Sequence, residues 1–163
     1  MGEADALMRE GADAIVDGVR RLAPGWVVRT VSGLIEAYGR LDPRTAERAI
    51  AQAHEAGARA ATRVTHDLEA LFARPPAEQR TTPLVIVRSL RTEATAVLRD
   101  AGVPEVERDP YDLRAFPDDV YGIVPKSIVE LGDEDLGGAL LAWGMGKARV
   151  LREQKFPGEG LET

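Results

Sequence analysis

Two adjacent carboxylates and a phenol, Asp118, Asp119 and Tyr121, are the side chains of this chain best suited to chemistry. Neighbouring carboxylates can coordinate a hard cation, or take up and return a proton. Around them, residues 108–122 also hold Tyr111, Arg114 and Phe116, with Arg108, Asp109 and Asp112. The same mixture suits a protein-binding surface: acids to meet a basic partner, aromatic rings to fill its hollows. A structural reading is simpler. Phe116-Pro117-Asp118-Asp119 has the order of a hydrophobic staple followed by a helix N-cap, and adjacent acids are common turn formers.

Other constellations fail on spacing. There are no cysteines, which excludes disulfides, zinc–thiolate sites and thiol catalysis. The two histidines, His54 and His66, lie twelve residues apart, about 120° around a helix, so they cannot share a metal. Gly144-Met145-Gly146-Lys147 superficially resembles a phosphate loop. Leu141 and Ala148 occupy the positions that need glycine and Ser or Thr, and the segment reads as helix. No dinucleotide fingerprint or GxSxG elbow appears. The sequence therefore assigns no catalytic residue, no cofactor and no metal.

The elements that must position residues 108–122 read as helices throughout. At 163 residues the chain is expected to be one domain, 1–155, with a flexible tail from 156 to 163. Met8, Ala12, Ile15, Val19 and Leu22 step at helical spacing, predicting a helix over 4–22 that Pro24-Gly25 ends. Val27, Val31, Leu34, Tyr38 and Leu41 predict a second over 26–41. Asp42-Pro43 is a cap followed by a proline at the first helical position. It opens a rod to about Arg74, where Pro75-Pro76 stops it. Thr82-Pro83 repeats the signal for a short helix to about Arg91, and a further helix over 92–101 ends at Gly102. Pro104, Pro110, Pro117 and Pro125 make 103–124 a loop. A short helix over 126–131 and a final one from Asp133 to about Gln154 complete the chain. Small residues recur every four positions in the rod (Ala49, Ala53, Gly57, Ala61) and in the last helix (Gly138, Ala142, Gly146). Both rows are expected to lie against other helices at short range, because interior glycine otherwise costs about 1 kcal/mol each.

Charge is uneven. Residues 1–91 carry 13 arginines against 12 acids; residues 92–163 carry 8 basic residues against 15 acids. An acidic half repels phosphate backbones, so nucleic acid is not expected as a partner. Arg44, Arg48, Arg59 and Arg63 on the rod are diluted by Glu47, Glu55 and Asp67. No apolar run reaches the length of a membrane span, and the acidic start is not a signal peptide. A cytoplasmic location is expected.

Several strings look familiar: residues 80–84 (RTTPL), 101–104 (AGVP), 116–122 (FPDDVYG) and 142–144 (AWG). Together they resemble a family of small, uncharacterised actinobacterial proteins. The resemblance covers roughly the second half of the chain. It implies an actinobacterial cytoplasmic protein and transfers no functional residues.

The reading is therefore an all-α helical bundle with a long central helix, short helices and a proline-rich acidic loop. The expected function is a non-enzymatic adaptor or regulatory protein that binds a basic protein surface through Tyr111, Arg114, Phe116, Asp118, Asp119 and Tyr121. The alternative is a small-molecule-binding protein or enzyme. Its pocket would lie between the helical core and the loop, built from Asp118, Asp119, Tyr121 and Arg80 or Arg114. The seam on the first helix would also suit a homodimer.

Overall fold

The computed structural model describes residues 2–105, 121–123 and 128–157. Among these residues the architecture is all-α, as the periodicity predicts. The helices are α1 (Glu3–Tyr38), α2 (Pro43–Ala73), α3 (Pro83–Arg88), α4 (Arg91–Ala101) and α5 (Glu134–Lys155). Short 3₁₀ turns occupy Pro76–Glu78 and Ile128–Leu131. No helix among the described residues is long and apolar enough to cross a membrane.

The main correction concerns Pro24. Proline removes one helical hydrogen bond and crowds the carbonyl four residues back, at a cost of about 3 kcal/mol. The sequence reading ends a helix there, yet α1 runs through it for 36 residues. The reason is phase. Val19, Ala23, Trp26, Val27, Val31 and Ile35 form one uninterrupted buried stripe, which exists only if the helix continues. Burying each large member contributes roughly 1.5–3 kcal/mol, so the stripe outweighs the proline. The true end is Gly39, in the left-handed conformation at φ 67°, whose N–H donates to Ile35 O at 3.0 Å. Three longer helices before the short ones thus become two.

The other start signals act as expected. Asp42 Oδ2 accepts from the N–H groups of Arg44 and Thr45 at 3.1 and 3.3 Å. The Thr82 hydroxyl accepts from Val85 N, and Asp133 Oδ1 from Asp135 N. The short helix expected over 126–131 is a 3₁₀ turn in its described part.

The central helix is α1, not the rod over α2: α2 packs on one side of it and α5 on another, while α3 and α4 sit on α2. The α1 seam is filled from within the chain, with Ile15, Val19 and Val27 fully buried. Backbones approach closely at both contacts. A Cβ added at Gly57 of α2 would lie 2.9 Å from Pro24 O and 3.0 Å from Pro24 Cα. Between α1 and α5 the approach is reciprocal. A Cβ at Gly11 would lie 2.6 Å from Trp143 N, and one at Gly146 would lie 2.7 Å from Met8 N. Both small-residue rows therefore contribute to packing, but each meets α1 rather than the other. Gly138 departs from the pattern, with nothing within 4 Å of its missing Cβ.

Polar ties finish the assembly. Arg63 reaches from α2 to Ser89 between α3 and α4, donating to its hydroxyl at 2.9 Å and its carbonyl at 3.2 Å. Arg29 of α1 donates to Leu131 O at 3.1 Å.

Substitutions at these glycines should differ in sign. G57A, G11A and G146A drive a methyl into backbone, and each lowers unfolding free energy by about 1–3 kcal/mol despite alanine's better helix propensity. Gly144, with open space around its Cα, is the control: G144A raises stability by roughly 0.5–1 kcal/mol. Urea unfolding of the four variants measures both effects.

Candidate functional site

The acidic segment 104–120 follows the end of α4. Gly102 adopts φ 84°, and the Val103 N–H folds back to Leu98 O at 3.0 Å. This ends α4 and turns Val103 into the core beside Leu98, leaving the two 7% and 0% exposed. Tyr121 returns to the same point. Its ring is 3% exposed, and its hydroxyl donates to Val103 O at 3.0 Å. Burial raises the phenol's pKa above its usual value by disfavouring the phenolate; the Arg99 charge opposes this and Glu105 adds to it. Val103 and Tyr121, the residues that flank segment 104–120, thus meet at one spot in the core.

Of the six residues expected to contact a partner, Tyr111, Arg114, Phe116, Asp118 and Asp119 lie outside the described residues. Tyr121 is described, and the structure makes it an anchor: its ring packs in the core and its hydroxyl is engaged. Arg80, the described arginine of the alternative pocket, is exposed. His54 and His66 are both exposed. Among the described residues, no three histidine, aspartate or glutamate side chains are grouped to hold a metal. Arg63 of the rod is engaged with Ser89, whereas Arg44, Arg48 and Arg59 are exposed.

A second arrangement was not visible in the sequence. The N-terminal half of α1, the end of α2 and the middle of α5 enclose a cleft of about 570 Å³. Its apolar side includes Phe72 and Trp143, whose rings stand 5.4 Å apart at 56°. Lys147 Nζ lies 5.1 Å from the centre of the Trp143 ring. The rim is charged, with Arg20 bridging Asp17 and Glu69 at 3.5 and 3.0 Å and Asp13 nearby. These exposed pairs add little stability; their effect is to hold the rim's geometry.

Trp143 is a core residue. It is 6% exposed, and its buried Nε1–H has no acceptor among the described residues. The available sequence signal was the charged row Asp5, Arg9, Asp13 and Asp17, four residues apart along α1 beside the apolar stripe.

Three comparisons were made, with models of protein families, with curated proteins and with solved structures. None of them matches this chain.

The Tyr121 anchor predicts a pH-dependent difference. A raised folded-state pKa means that the phenol's contribution is complete below the unfolded value near 10 and is lost as pH rises towards the folded value. Y121F removes the hydrogen bond and costs about 1 kcal/mol at neutral pH. The gap between wild type and Y121F should narrow above about pH 10 as the wild-type contribution is lost. Urea unfolding of both proteins across that range measures it.

Proposed function

We propose that this protein is a non-enzymatic cytoplasmic adaptor or regulatory protein. It binds a protein with a basic surface through loop 108–122. Tyr111, Arg114, Phe116, Asp118 and Asp119 make the contacts, and Tyr121 anchors the loop's end. The observation that supports this reading is the tie from Tyr121 to Val103. Residues 104–120 carry six acids against two arginines, and that charge is strung between two fixed points. Concentrated acids speed encounter with a basic surface and suppress acidic competitors.

The cleft favours a second reading, a small-molecule-binding protein. Its volume falls in the range of ligand sites, and it combines an aromatic wall with charged side chains of both signs at the rim. The two readings differ in what travels with the protein.

Native mass spectrometry of protein gently isolated from its own host should show a second polypeptide at fixed stoichiometry. Reversing Asp118 and Asp119 together to lysine should weaken that association about tenfold or more at low salt, with thermal stability unchanged. Equal binding by the double variant removes the loop from the interface. A bare chain carrying a small bound mass overturns the adaptor reading and favours the cleft.

A further inference from the structure

The middle of α5 is apolar on two opposite sides, the outer stripe ending at the exposed Arg152. Leu136, Trp143, Gly146 and Val150 are buried towards α1. Around the helix at 100° per residue, Gly138, Leu141, Met145 and Ala148 gather on the far side. All four are exposed, Leu141 at 64% and Met145 at 53%. A helix apolar on both faces is ordinarily covered on both, since each face loses stabilisation when left in water.

The charges beside this stripe specify what covers it. Asp135 near the start of α5 and Arg149 near its end are both exposed, and neither side chain forms an ion pair among the described residues. They lie on the same flank of the stripe, about 40° apart around the helix. Fourteen residues separate them, about 21 Å along the axis, too far to pair within one chain. Acids first and bases last suits the helix dipole. The same order makes the helix complementary to an antiparallel copy of itself.

We propose that the outward face of α5 docks on the same face of a second copy of this chain, antiparallel across a two-fold axis. Leu141 of each chain packs by Met145 of the other, and Asp135 of each pairs with Arg149 of the other. Such a two-fold contact is self-complementary and closes at two copies. The open space around Gly138 lets the two helices approach closely. The face is small. A strip from Asp135 to Arg149, about 21 Å long and about 10 Å wide, covers roughly 210 Å² per chain, about a quarter of a standard interface, so the dimer is weak and reversible.

Sedimentation equilibrium of the full chain from about 5 µM to about 1 mM covers the affinities such an interface gives. The average mass should climb from that of one chain towards that of two. L141D should hold it at one chain, with its circular dichroism unchanged because Leu141 faces water in the single chain; M145D provides the same check independently. D135R and R149D should each weaken association at least tenfold, and the D135R/R149D double reversal should restore it. Single-chain mass across the whole range overturns the proposal. So does a dimer that survives both L141D and M145D, or a double reversal no better than the single ones.

Discussion

Close approach of helix backbones to α1 is the constraint on which the rest of the structure depends. At Gly57 the α2 backbone rests on Pro24, and at Gly11 and Gly146 the α1 and α5 backbones rest on each other. Such contacts leave no room for side-chain adjustment, so they fix where α2 and α5 sit. Their position in turn sets the distance between Phe72 and Trp143, and so the width of the cleft. It also decides which face of α5 remains outside. Pro24, unfavourable by local rules, is part of this contact: its carbonyl and Cα form the surface that Gly57 meets.

Charged side chains act at a second level. Arg63 joins α2 to the α3–α4 turn, Arg29 holds the carbonyl at the end of the 3₁₀ turn, and Arg21 reaches Asp133 at 3.0 Å where that residue caps α5. Each of these arginines joins elements distant in sequence. The exposed Arg21–Asp133 pair contributes little energy by itself, whereas the Arg63 and Arg29 bonds are partly buried. They bias the choice among arrangements that the apolar contacts alone would allow.

The elements with local signals were legible in the sequence. Asp42-Pro43, Thr82-Pro83, Gly102 and Asp133 each mark a boundary through groups within a few residues, and each acts there as expected. The continuity of α1 was not legible, because what overrides Pro24 is burial against other helices, with Gly57 of α2 resting on Pro24 itself. Burial of the rod's small-residue row was legible, but of the last helix's row only Gly146 is buried, and the surface each row would meet was not legible. The site divides in the same way. The acidic aromatic segment stands out by composition. Whether Tyr121 faces in or out depends on Val103, eighteen residues back, and periodicity carries no such information in a loop. The cleft was hidden because its walls come from residues 5–20, 69–73 and 143, which only tertiary structure brings together.

The connectivity around α1 has a consequence for how the chain folds. Four residues link α1 to α2, so that hairpin closes cheaply and early. The contact of Gly11 with the Trp143 backbone spans more than 130 residues and must await nearly the whole chain. The last helix therefore docks into a groove already half built. It is also the first to leave: native-state hydrogen exchange should find α5 opening as a unit at lower free energy than the α1–α2 hairpin. The central helix would then be without one of its two supports, and the cleft without its tryptophan, while most of the protein remained folded.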